Sequence, residues 1–427
     1  MKNDGVCLIY LPHPYLKDPT AQAPVGLLYI AAVLEKENIP VVLKNYSSWN
    51  MTDAIEDLPD CLLYGITATS LEIPIANEFS RKIKWRFPRA RIIVGGPGVA
   101  SPRHINLNFI DCMFFGEAES MISRVYKQAK TGTLPINYVG KNIENLDEIP
   151  FPARHLLDNQ GGKIFAYGKE YKGTGSTIIL SSRGCPHNCA FCASPSITDK
   201  KVRFRSPKNV AEEIKHVIDT YDIRQIRFSD DMFTANRKRV LELCKLLKPL
   251  DIVWRISCRA KPCDDELFQA MYDAGLREMS IGVESFDDNV LKFMNKGITV
   301  ADNVKCLETC AKIGIKTRIL FMIRTPGQTL RTVERNIEML EKVPYDIVAC
   351  TTYVPIPGSD IWNNPDKYDI EIINKSLEDY NFYFFGKEGQ LPLKDLIRFK
   401  SRDMDEVNRE TKRFRDYLIS TGKLNEG

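Results

Sequence analysis

Twice along this chain, runs of strand length alternate with segments of helical periodicity, and that alternation restricts the fold more than any other feature. Parallel strands need a crossover between them, and the crossover helices cover the sheet, so the pattern predicts α/β architecture. In the first stretch the strands read as Val6–Leu11, Pro40–Lys44, Leu62–Thr67, Arg91–Val94 and Cys112–Phe115, with helices over Val25–Glu37, Ile73–Phe87 and Glu117–Ala129. Five strands predict a doubly wound, flavodoxin-like parallel sheet over residues 1–135, with ligands beyond the carboxyl ends of the strands. Residues 136–173 lack periodicity, carry Pro150, Pro152, Gly161, Gly162 and Gly173, and read as a linker. A second alternation places strands at Thr177–Ser181, Gln225–Ser229, Ile252–Ser257, Glu278–Val283, Lys316–Ile323 and Ile347–Tyr353. Six βα units are too few for a closed eight-stranded barrel and predict a partial (βα)6 TIM-type barrel over residues 174–365, with chemistry at the C-terminal ends of its strands. Residues 366–427 read as a charged helical tail, its helix expected over Leu391–Tyr417.

A chain of 427 residues accommodates two such domains. Its net charge of +4 is too small and too dispersed to predict nucleic-acid binding. The longest apolar stretch, Gly26–Leu34, is far short of the ~20 residues that span a bilayer, and the start has no signal-peptide organisation. Of twelve cysteines, Cys7, Cys61, Cys112, Cys258 and Cys350 fall in or beside apolar runs, where a buried thiol is the ordinary outcome. A cytoplasmic, reducing location is expected, with no membrane and no nucleic-acid partner.

The segment Arg183-Gly-Cys185-Pro-His-Asn-Cys189-Ala-Phe191-Cys192 directly follows the first strand of the second alternation. Three thiolates at C-x3-C-x2-C spacing each hold one iron of a cubane cluster, and the local set stops at three. One iron is thereby left open to a small-molecule ligand, as in a catalytic rather than a closed structural metal site. A zinc site is the alternative, but zinc favours C-x2-C pairs that complete four ligands. At the following strand ends stand Asp230 and Asp231, Arg259, Glu284, Arg324 and the stretch Tyr353-Val-Pro355-Ile-Pro357. Adjacent carboxylates at a strand tip call for cations or donors, and a guanidinium pairs a carboxylate bidentately.

These residues resemble the radical S-adenosylmethionine (SAM) enzymes. The resemblance implies a [4Fe-4S] cluster on Cys185, Cys189 and Cys192, its open iron chelated by SAM. It implies Asp230 and Asp231 near the SAM amino group, Arg259 at its carboxylate, Glu284 at the ribose, and Tyr353 and Pro355 near the adenine. Where relatives have Gly in Met-Ile-Gly-x-Pro-Gly, this chain has Arg324, which either narrows the pocket or meets an anionic substrate. In the first domain Pro24-Val-Gly26-Leu27, Tyr64-Gly-Ile-Thr67, Val94-Gly95-Gly96-Pro97 and Phe115-Gly116-Glu117 resemble the cobalamin (B12)-binding domain of one large radical SAM subfamily. That resemblance implies cobalamin on a rim carrying Pro24, Gly26, Thr67, Ser70, Gly95, Gly96 and Gly116. The Asp-x-His-x-x-Gly signature is absent, Gly98 stands where relatives show His in Gly-Gly-Pro-His, and His13 lies in a turn. Cobalamin is accordingly expected base-off, without a protein imidazole.

The function implied is SAM cleavage to a 5′-deoxyadenosyl radical, driven by a reductase or flavodoxin/ferredoxin donor, and cobalamin-dependent methylation of an unactivated carbon of a small-molecule or natural-product substrate. Three alternatives stand beside it. The first is a non-methylating cobalamin-dependent reaction such as a cyclisation or rearrangement. The second is a methylthiotransferase, for which Cys7, Cys61 and Cys112 would have to be cluster ligands despite their apolar settings. The third is a non-enzymatic iron–sulfur protein, which would have no need of carboxylates and arginines around the rim.

Overall fold

The computed structural model describes residues 4–12, 23–158, 175–198, 200–382 and 395–424. It divides into two units, residues 1–169 and 170–427. His13 and residues 159–174 lie outside the described residues, as does the start of the helix expected from Leu391.

In the first unit β1 (Val6–Tyr10), β2 (Val41–Asn45), β3 (Leu63–Thr67), β4 (Arg91–Gly95), β5 (Cys112–Phe115) and β6 (Asn137–Val139) form one sheet in the order β2-β1-β3-β4-β5-β6. Every pairing is parallel. The sequence reading found five of these strands; β6 comes from residues read as linker and pairs with β5 through Met113↔Asn137. At three residues, with only Tyr138 buried, it is too short to show a period of two. The central strands are near-continuous apolar runs because helices cover both of their faces. Among those helices, Val25–Lys36 turns Leu27, Leu28, Ala31 and Leu34 inward at spacings of three and four.

The second unit begins with β7 (Ser176–Ile179), followed by the short antiparallel pair β8 (Ser182–Arg183) and β9 (Arg203–Phe204). Then come β10 (Gln225–Phe228), β11 (Val253–Arg259), β12 (Leu276–Glu284), β13 (Lys316–Ile323) and β14 (Ile347–Thr352). The main sheet runs β14-β13-β12-β11-β10-β7, all parallel: six strands, as the alternation predicts. Local chemistry marks the helix starts. Thr299 and Asp302 form a reciprocal capping box ahead of Val300–Ile313, which ends at Gly314 in the left-handed region. One face of the strands (Trp254, Ile256, Met279, Ile281, Ile319, Phe321) packs against helical Leu267, Phe268, Met271 and Leu307 in the main core. The opposite face carries partly exposed Arg255, Ser257, Ser280, Arg318, Met322 and Thr351. After β14 the tail is less helical than expected. β15 (Ile370–Ile372) and β16 (Ile397–Phe399) pair antiparallel, and the helix runs Met404–Ser420, seating Phe414 and Leu418 in the barrel core. Among the described residues no helix is long and apolar enough to cross a membrane.

Candidate active site

The cysteine loop leaves the C-terminal end of β7 under heavy restraint. Buried Asp230, just past β10, accepts from the Ser181 amide at 2.7 Å and from the hydroxyls of Ser181 and Ser182. Burial raises its pKa, and the serine hydrogen bonds and the Arg239 charge oppose that rise. Two buried arginines add to the restraint. Arg239 donates through Nη2 to the Ser181 carbonyl at 2.7 Å, and Arg205 through Nη1 to the Leu180 carbonyl at 3.0 Å while pairing with buried Glu213. Gly184, at φ +100°, makes the turn into the loop and donates its amide to Asp231 at 3.2 Å. Midway, Ala190 is held from two sides: its amide donates to the Met294 carbonyl at 2.8 Å, and its carbonyl accepts from the Ile361 amide at 3.0 Å.

The three thiols sit at this rim, Cys185 and Cys192 half-buried and Cys189 buried. Among the described residues no three Cys, His, Asp or Glu side chains gather closely enough for a single metal ion. From the end of β11, Arg259 donates through Nη1 to Cys189 Sγ at 3.2 Å. Its Nε and Nη2 are buried without partners, and the residue is 8% exposed. Buried N–H groups left unpaired cost about 1–3 kcal/mol each, so the fork calls for an anionic acceptor. A carboxylate beside the cluster loop fits it.

The remaining rim residues fare differently. Asp230 is consumed by the loop it anchors, whereas Asp231 is exposed and open to a ligand. Glu284, at φ +62°, is buried and paired through Oε1 with Lys296 Nζ at 2.6 Å. Lys296 also lies 5.5 Å over the ring of Phe191 in the cysteine loop, joining β12 to the loop by a cation–π contact. The sequence reading missed Lys296, Arg205 and Arg239: the first and last lie more than ten positions past a strand end, and Arg205 follows a two-residue strand too short to read, so none carries a local signal of burial. Removing one member of a buried pair strands the other, so Glu284→Ala will destabilise the protein by about 3–5 kcal/mol in denaturant titrations, and adding Lys296→Met will recover part of that. A Glu284→Ala protein as stable as wild type would sink this assignment. Tyr353 is buried with its hydroxyl unpartnered, burial pushes its pKa up, and Pro355 is buried beside it.

In the first unit the expected rim residues lie at the carboxyl ends of the strands, but two of the glycines answer to the fold. The Ala68 amide donates to the Gly95 carbonyl at 3.0 Å and the Gly98 amide to the Ala68 carbonyl at 2.7 Å, tying the β3 and β4 loops together. A Cβ on Gly96, at φ +85°, would meet Thr67 Oγ1 at 2.6 Å, and one on Gly98 would meet Ile73 Cδ1 at 2.8 Å. The packing of one loop on the other by itself requires glycine at both positions. Gly116 likewise lies against the Gly140 carbonyl. Ser70 is buried, Thr67 and Gly95 are half-buried, and Gly26, Gly96 and Gly116 are exposed, with Pro24 buried behind Gly26. Position 98 has no space for a coordinating side chain, so this rim fits a cofactor contacted by backbone and small side chains.

Residues 179–340 match the Radical SAM superfamily. The chain is 29% identical over 370 residues to an uncharacterised methyltransferase, PH0819, of Pyrococcus horikoshii, covering 80% of this chain and 78% of that protein. It is 23% identical over 317 residues to the bacteriochlorophyllide d C-8(2)-methyltransferase of Chlorobaculum tepidum, covering 70% and 67%. In three dimensions it resembles the radical SAM methyltransferase TsrM of Kitasatospora setae, solved with cobalamin and a [4Fe-4S] cluster, at TM-score 0.65 and 16% identity over 84% of this chain and 77% of that one.

Proposed function

We propose that this chain, which carries a radical SAM domain, is an enzyme that binds a [4Fe-4S] cluster, SAM and cobalamin and methylates an unactivated carbon of a small molecule. The observation that carries the reading is Arg259. One of its nitrogens bonds a cysteine sulfur of the loop while two others stand buried and unpaired, so the cysteine loop and an anion subsite share one side chain. When bound, the cluster and SAM supply one-electron C–S cleavage and hydrogen-atom abstraction, and cobalamin a transferable methyl group. The chain's own residues hold and orient. Cys185, Cys189 and Cys192 are the iron ligands, and the Arg259 N–H on Cys189 stabilises thiolate charge. The free edge of the Arg259 fork takes the methionine carboxylate, and Asp231 takes the ammonium. The Glu284–Lys296 pair sets the rim against Phe191 and presents Glu284 toward the ribose; Tyr353 and Pro355 border the adenine.

Methyl transfer is favoured over cyclisation because most of the similar proteins are named methyltransferases or methylases, although two are magnesium-protoporphyrin IX monomethyl ester cyclases. Cys7 and Cys112 are buried in strands of the first sheet and Cys61 is buried beside one, where burial raises the thiol pKa of Cys7 and Cys112, so a second cluster there has no support. Protein produced with ample cobalamin will copurify with near one equivalent of it, with a base-off spectrum lacking imidazole coordination. Protein that stays colourless in the corrin bands and takes up none by equilibrium dialysis overturns the methyltransferase reading and leaves a radical SAM enzyme without cobalamin.

A further inference from the structure

Arg324 breaks the pattern of its strand end. Its backbone sits at φ +57°, a region glycine enters freely and a long side chain does not. The side chain is 4% exposed, its Nη2 donates to Asp395 Oδ1 at 2.8 Å, and its Nε is buried without a partner. Asp395 is itself 43% exposed, so the carboxylate is the half of this pair that water reaches. Next to Arg324, the Tyr353 amide donates to the Ile323 carbonyl at 2.8 Å, which sets the two residues side by side at the rim. The Tyr353 hydroxyl, Thr325 Oγ1 and Gln328 Nε2 are also buried without partners. All four unpaired groups are hydrogen-bond donors, and two, Nε and the amide nitrogen, donate only. Along the same concave face stand Arg227, Arg255 and Arg318, with Glu278 3.4 Å from Arg255, so the barrel wall leading to the rim is rich in positive charge.

We propose that Arg324 is the subsite for an oxyanion group of the substrate, a carboxylate or a phosphate, and that Asp395 occupies the guanidinium until that group arrives. This rests on the radical SAM reading, in which the substrate enters at the same strand ends. A long side chain held in a sparsely populated backbone region costs stability and such positions cluster at functional sites, while a single exposed carboxylate is a replaceable partner. The alternative is that the ion pair only ties the tail to the barrel.

The two roles predict opposite signs. Full-length protein, with its cluster reconstituted anaerobically and SAM saturating but no reductant, is titrated calorimetrically with inorganic phosphate and, separately, with acetate. Saturating SAM keeps the probes off Arg259. Wild type binds at least one of them, and which one distinguishes the two sources of the oxyanion. Arg324→Gly, which relieves the backbone strain, weakens that binding about tenfold or more. Asp395→Asn tightens it several-fold, because the competing carboxylate is gone. Should both variants shift affinity in the same direction, or should neither anion bind wild type, the proposal is overturned. Arg324→Gln serves as the second variant if the glycine protein melts early. SAM affinity is measured in each protein. Failure of wild type to bind SAM sinks the radical SAM reading and is seen independently of the anion arms. Loss of SAM binding in Arg324→Gly together with anion binding assigns Arg324 to the cofactor and also overturns the proposal.

Discussion

Replacing Cys185, Cys189 and Cys192 together with Ala will leave a folded protein with no bound iron or sulfide, no broad brown absorption and no 5′-deoxyadenosine formed from SAM. The size of the effect follows from the proposal that these three residues are the protein ligands of one cluster, which makes the loss total. Folding should survive, because the loop's anchors are elsewhere. Asp230 on Ser181 and Ser182, Arg239 on Ser181, and the two hydrogen bonds of Ala190 involve none of the thiols. A triple variant that keeps a full complement of iron and sulfide would falsify the assignment of the loop.

The second large effect separates two adjacent carboxylates. Asp230→Ala strands the Ser181 amide and two serine hydroxyls inside the protein, at about 1–3 kcal/mol for each unpaired group. Thermal melts should fall on the order of 6–12 °C for a loss near 3 kcal/mol in a domain of this size. Cluster content should fall with them, since the first turn of the cysteine loop loses its anchor. Asp231→Ala removes an exposed carboxylate with one amide contact, so stability and iron content should stay near wild type. Its cost should appear in SAM affinity, roughly tenfold to a hundredfold by the strength of a charge-assisted hydrogen bond. Equal melting temperatures for the two variants would show that Asp230 is not the anchor.

Much of this architecture was legible from periodicity alone. The strand Lys316–Ile323 ends where expected and the helix expected over Ile73–Phe87 runs Ile73–Arg86, because a buried parallel strand and an amphipathic helix each repeat a signal several times over their length. β6 and the β15–β16 pair were not legible. Each is a three-residue strand, and its pairing depends on an edge supplied by another part of the chain. At Gly96 and Gly98, after β4, sequence shows that a side chain is missing but not what fills the gap. Here Thr67, Ala68 and Ile73 fill it.

Order and spacing in the sequence by themselves determined two parallel α/β sheets, the second a six-stranded partial barrel, and three thiols on the loop after its first strand. They also placed a carboxylate or a cation at the four strand ends that follow, from Asp230 to Arg324. Only the tertiary structure decided which of those groups remains available. Asp230 and Asp231 are chemically identical neighbours, but successive side chains leaving a strand point opposite ways. One is consumed by buried serines, and the other is exposed with the Gly184 amide as its contact. Glu284 found Lys296 twelve residues on, and Arg259 found a sulfur seventy residues back, leaving two donors unpaired. Such pairings follow from burial, where each charge must meet a partner or remain at high cost. Burial belongs to the packed molecule and not to any local stretch of its sequence.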